Sequence, residues 1–171
     1  EMFTQLGDMP KPVSNAEITD RQRTLFSKFG NGDLLILCAS PETIHSNDVH
    51  HPYRTQSNLL YLSGWTEPDA VMCSLNINGK WETHLFVQPK DTLKEIWEGR
   101  RPGVEGAVEN WPVDYAHSVD ELQAKLADFI AQSSKIMHRM GIMPEVDELV
   151  VKAIKKRDRA RQRYGTGPIS I

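Results

Sequence analysis

Asn78 and Gly79 constrain this chain more than any other two residues. An Asn-Gly pair between apolar stretches is a strong hairpin signal, because the tight turn needs positive φ at both central positions. Upstream, 70–77 alternates, with Val71, Cys73, Leu75 and Ile77 on one face. Downstream, 81–87 returns as its partner and Pro89 stops it. A third short strand is expected at 59–62, closed by Ser63-Gly64, which would extend the hairpin to a meander. A fourth, 34–39, is apolar on both faces, the pattern of a strand buried on both sides. Shorter strands are expected at 113–116 and 135–140.

Helical signals fall between these strands. Ser14-Asn15-Ala16-Glu17 has the form of a capping box, and Ile18, Leu25, Phe26 and Phe29 follow as one amphipathic stripe before Gly30-Asn31-Gly32. A short helix is expected at 91–97. The segment 99–106 reads as a glycine-rich, basic loop with one helical turn after it, to Asn110. Ser118-Val119-Asp120-Glu121 is a second capping box, ahead of Leu122, Leu126, Phe129 and Ile130. Pro144 suits the first position of a long helix, with Glu145, Asp147 and Glu148 at its positive end and bases at its negative end. The expectation is an α/β fold, a mixed sheet of roughly six strands flanked by helices. A chain of 171 residues can bury about 70% of its unfolded surface and needs no staples.

Composition excludes several classes. With 39% apolar and 25% charged residues, and 11 Gly and 10 Pro spread out, the chain is neither collagen-like nor disordered. The run 34–39 is far short of the roughly 20 apolar residues needed to span a bilayer, and Glu1-Met2-Phe3-Thr4-Gln5 shows no secretory signal. No membrane association is expected. Two cysteines make neither a disulfide framework nor a four-thiolate zinc site, and the expected setting is the reducing cytoplasm. The net charge of −3 hides a local +6 between Lys152 and Arg163, against −9 for the remainder. No aromatic interleaves those bases for stacking, so they read as a solvated face and no nucleic-acid partner is expected.

Chemistry-bearing residues are few. His45, Asp48, His50 and His51 share one polar stretch, but adjacent histidines in an extended segment point opposite ways and no helical ligand spacing supports them. They read as a polar loop. Cys38 and Cys73 fall in strands and read as small core residues. No Gly-x-Ser-x-Gly elbow or phosphate-binding glycine loop is present. The string Glu95-Ile96-Trp97-Glu98-Gly99-Arg100-Arg101-Pro102-Gly103 fits neither helix interior nor strand. Exposed Trp and Arg are common binding anchors, although Trp97 could equally close a core where a helix ends.

Three stretches in one order resemble a known family: His51-Pro52-Tyr53-Arg54-Thr55-Gln56-Ser57-Asn58-Leu59-Leu60-Tyr61-Leu62-Ser63-Gly64, then Glu67-Pro68-Asp69-Ala70-Val71, then 95–103. Together they resemble the N-terminal domain of Xaa-Pro aminopeptidases (aminopeptidase P) and related prolidases. The resemblance implies a creatinase N-terminal-like fold: 1–13 an irregular lead-in, 14–164 the domain, and 165–171 the start of a linker to a missing C-terminal catalytic domain. That half would hold two metal ions, usually manganese, and release the N-terminal residue from peptides with proline second. No catalytic or metal residue is carried over to this chain, which is expected to be inactive alone. The partners implied are the catalytic domain of the same polypeptide, further copies in a homo-oligomer, and a peptide substrate with proline second. Trp97 resembles the tryptophan that reaches a neighbouring subunit's substrate site. An arginine lining that entrance is matched most nearly by Arg161, with Arg163 as rival. The alternative is a peptide- or protein-binding module from a catalytically inactive relative.

Overall fold

The computed structural model describes residues 13–39 and 57–164. Among these, five strands form one mixed sheet: β1 (Asp33–Cys38), β2 (Val71–Ile77), β3 (Lys80–Val87), β4 (Tyr115–Ser118) and β5 (Lys135–His138), in the order β4-β3-β2-β1-β5. β1–β2 and β2–β3 are antiparallel, while β1–β5 and β3–β4 are parallel. The β2–β3 turn is the expected one, with Asn78 at φ 53° and Gly79 at φ 84°. Six helices accompany the sheet: α1 (Asn15–Phe26), α2 (Ser57–Ser63), α3 (Thr92–Glu98), α4 (Gly103–Asn110), α5 (Leu122–Gln132) and α6 (Pro144–Tyr164). None of the described helices is long and apolar enough to cross a membrane.

Strand alternation sorts the core into two layers. On one face Leu34, Ile36, Val71, Cys73, Leu75, Phe86 and Ile136 pack against Leu122, Leu126, Phe129 and Ile130 of α5 and Val146 and Val150 of α6. On the other, Leu35, Leu37, Met72, Leu85 and Val87 meet Phe26 of α1, Leu59 and Leu62 of α2, and Ala107 of α4. β1 lies between β2 and β5, which explains its apolar character on both faces. The Ser118 capping box is complete, although it opens a single 3₁₀ turn (Val119–Glu121) that leads into α5. Arg157 of α6 donates to the carbonyl of Ile130 and to Ser133 Oγ, tying α6 to the end of α5.

The sequence expectations need four corrections. Residues 59–62 belong to helix α2, so the expected meander reduces to the β2–β3 hairpin with β1 beside it, and the described residues hold five strands. A four-residue apolar run carries no readable period. The helix sorts it by burying Leu59 and Leu62, at 0% and 6% exposure, and turning Leu60 and Tyr61 outward. The outward Tyr61 ring ties α2 to α1, with the Arg21 guanidinium 4.3 Å over it. β4 lies two residues later than expected, and β5 ends at His138. Gly103 opens α4 instead of lying in a loop. The first helix stops at Phe26, short of Phe29, and only the Ser14 half of its capping box forms, because Glu17 pairs with Arg21 at 2.7 Å. The candidate ligands His45, Asp48, His50 and His51 lie outside the described residues.

Candidate functional site

The second and third motifs, some thirty residues apart in sequence, meet in space. Glu67 and Pro68 face Gln88 and the 98–102 segment across a cleft of about 310 Å³, floored by Trp65. Trp65 is 2% exposed and meets Trp111 edge-on at 4.7 Å. Gln88 Nε2 donates to Asp69 Oδ2 at 2.8 Å, and Arg101 bridges Glu98 at 2.6 Å while donating to the carbonyl of Pro89 at 3.4 Å. Asp69 sits at φ 56°. Burial raises its carboxyl above the ordinary range, Glu145 adds to that, and Arg101 and the Gln88 bond oppose it.

Beside this cleft stands α3, capped by Asp91, whose carboxylate accepts from the N–H groups of Leu93 (3.1 Å) and Lys94 (3.2 Å). The helix has no buried residue. Leu93, Ile96 and Trp97 are 75%, 71% and 89% exposed. Positions three and four apart share one helix face, so these form a single outward apolar stripe. Of the two readings of Trp97, the structure takes the exposed one. Sequence reasoning picked Trp97 and passed over Leu93 and Ile96, although the 93, 96, 97 spacing carries the signal. Arg161 is half-buried in the last turn of α6 and Arg163 is exposed there, on a different element from Trp97.

Both cysteines are core residues. Burial pushes the Cys38 thiol up to about 12, with Asp147 adding to the effect, and burial likewise raises Cys73. Among the described residues, no group of three His, Cys, Asp or Glu side chains could hold a metal ion.

A histidine pair went unseen in the sequence. His84 of β3 and His117 of β4 hydrogen-bond through Nδ1 and Nε2 at 2.9 Å, with His84 stacked on Tyr115 and tilted against Phe129. The pair joins two strands that meet only through a crossover, so no local pattern announces it. Burial lowers both imidazoles from their ordinary value. Lys125 lowers both further, while Glu82 and Asp114 oppose the shift at His84 and Glu121 opposes it at His117. The unfolded chain therefore takes up protons first as pH falls, and this stabilisation, complete above about pH 6.5, is lost on acidification through the folded values. Urea midpoints should fall between about pH 7 and pH 5, and fall less steeply in His117→Gln; equal slopes would exclude the pair as the cause.

Comparison with known proteins decides the family. Residues 18–138 match the family model described as aminopeptidase P, N-terminal domain. The chain belongs to this family. It is 29% identical over 163 residues to the Xaa-Pro aminopeptidase of Escherichia coli, covering 93% of this chain and 36% of that protein. The Xaa-Pro aminopeptidase of Haemophilus influenzae is 30% identical over 146 residues, covering 85% and 34%. Among solved structures, proline aminopeptidase P II from Yersinia pestis superposes with a TM-score of 0.81 at 31% identity, covering 92% of this chain and 36% of that one. The aminopeptidase P N-terminal domain described here thus spans about a third of the length of its relatives.

Proposed function

We propose that this chain is the non-catalytic N-terminal domain of a cytoplasmic, metal-dependent Xaa-Pro aminopeptidase that works as a homo-oligomer. Residues 14–164 form the domain, and 165–171 begin the linker to the catalytic half. In this reading the parent enzyme releases the N-terminal residue from peptides with proline second. Its metal ions, manganese in the resemblance drawn above, would polarise the scissile carbonyl and activate water. The described residues do not fit such a centre, so no step of that chemistry is assigned to them.

The observation that carries the proposal is α3. A short, well-capped helix that buries nothing of its own and presents Leu93, Ile96 and Trp97 to solvent is built for contact with another surface. Trp97 is assigned to a neighbouring subunit's substrate site, and Arg161 to the wall of the same entrance. The test is direct. The purified 171-residue chain with manganese should not hydrolyse an Xaa-Pro peptide, whereas the full-length polypeptide should. Turnover by the chain that survives removal of host peptidases, or inactivity of the full-length protein with metal, would overturn the reading.

A further inference from the structure

α3 carries the outward stripe of Leu93, Ile96 and Trp97, yet little within the helix holds it to the domain. Of its seven residues only Glu95 is half-buried, and the other six are exposed. Glu95 Oε1 is buried without a hydrogen-bond partner, so that oxygen pins nothing. The C-cap, Gly99, lies at φ 91° with open space where a Cβ would stand, so the chain can pivot there. Two turns of helix without a buried face do not fix their own direction by packing. That direction has to be set at the feet of the helix, the segments 88–91 before it and 99–103 after it.

Three ties secure those feet. Gln88 Nε2 holds the first foot to Asp69 Oδ2 at 2.8 Å. The stem of Lys90 lies against Gly103, where a Cβ would come within 2.7 Å of Lys90 Cγ. Arg101, whose side chain is 13% exposed, joins one foot to the other, with Nη1 donating to the carbonyl of Pro89 at 3.4 Å. Its Nη2 meets Oε2 of Glu98, the last residue of α3, at 2.6 Å. Of these three ties, only that of Arg101 reaches the helix itself. A guanidinium holds its donors in a rigid planar fork, so the two contacts together define a direction and not just an attachment. Glu98 is 57% exposed, and an ion pair with one partner in solvent contributes little to folding. Its effect falls on orientation instead.

We propose that Arg101 is the positioning residue for Trp97: it clamps α3 between Pro89 and Glu98 and so sets the direction in which the indole leaves the domain. The consequence for turnover rests on the assignment of Trp97 to a neighbouring subunit's substrate site, whereas the clamp itself does not. Moving a substrate-contacting group by about 1 Å can cost as much as about 100-fold in rate. Arg101 therefore acts on kcat/KM without touching substrate.

The test has two parts. In the ¹⁵N-labelled 171-residue chain, amide order parameters over 92–98 should be those of a rigid backbone, about 0.85. In Arg101→Ala they should fall below about 0.6, the Trp97 indole N–H should loosen with them, and the sheet amides should stay rigid. Arg100→Ala, which removes the exposed neighbouring guanidinium, should leave these values in place. In the full-length polypeptide, Arg101→Ala should lower kcat/KM for an Xaa-Pro peptide by about tenfold, and should lower it no further once Trp97 is alanine. A residue acting through Trp97 gives that non-additive cycle, whereas one that only supports the fold lowers both backgrounds equally. Should Arg101→Ala not fold, Glu98→Ala, which removes only the exposed partner, replaces it in both parts. The proposal is overturned by order parameters already low in the unsubstituted chain, by unchanged values in the folded variant, or by equal losses in the two kinetic backgrounds. If Trp97→Ala alone leaves turnover unchanged, the substrate-site reading fails, and the order parameters still decide the clamp.

Discussion

Replacing Trp97 with alanine in the full-length polypeptide should cut kcat/KM for an Xaa-Pro peptide by about 10- to 100-fold, the range for loss of a tryptophan hot spot. The same change should leave the thermal midpoint of the 171-residue chain where it was. The kinetic half rests on the role proposed for Trp97, and the stability half on its exposure: the residue is 89% exposed and belongs to neither core cluster. A residue that stabilises nothing within its own domain loses nothing there when truncated. Leu93→Ala and Ile96→Ala, on the same face, should act in the same direction more weakly. Steady-state kinetics beside thermal unfolding separates the two outcomes, and unchanged kinetics with Trp97→Ala would remove the assigned role.

Phe86→Ala should have the opposite profile, a large loss of stability felt before any question of activity arises. Phe86 is fully buried in β3, tilted against His117 at 5.1 Å and edge-on to Phe129 at 6.3 Å. It sits where β3, β4 and α5 converge, so no single element can move in to refill the space. Truncating a buried phenylalanine typically costs about 3–5 kcal/mol, the transfer term plus the residual cavity. Against a typical total of about 5–15 kcal/mol, the variant would be marginal at room temperature. Urea unfolding measures this. A loss below about 1 kcal/mol would mean that the face toward α5 collapses onto the gap and is not packed as described.

The elements legible in the sequence were those whose signal is local. Asn78-Gly79 forms its turn, Ser118 caps its helix, and Pro144 opens α6 with acids and bases at the expected ends. Leu59–Leu62 failed because an apolar tetrapeptide is compatible with two periods, and tertiary packing on Phe26 and Trp65 made the choice. Nothing in the local sequence marks Gln22 as a buried residue. It is buried because two carbonyls, from Leu62 and Pro112, converge on it from distant parts of the chain. The His84–His117 bond has the same origin: it requires the parallel β3–β4 pairing, which no stretch of sequence declares. The cleft between the second and third motifs was readable as two motifs, but not as one place.

The pairing of β1 with β5 has a consequence for synthesis. Asp33 finds Lys135, and Ile36 finds His138, about a hundred residues after β1 leaves the ribosome. Until then the most apolar strand of the nascent chain has one backbone edge bare, able to template association with other unfinished chains. Chaperones and premature stops thus act on a polypeptide whose β1 edge cannot close before β5 arrives. A truncation anywhere ahead of Lys135 should deliver aggregate, not a smaller folded unit.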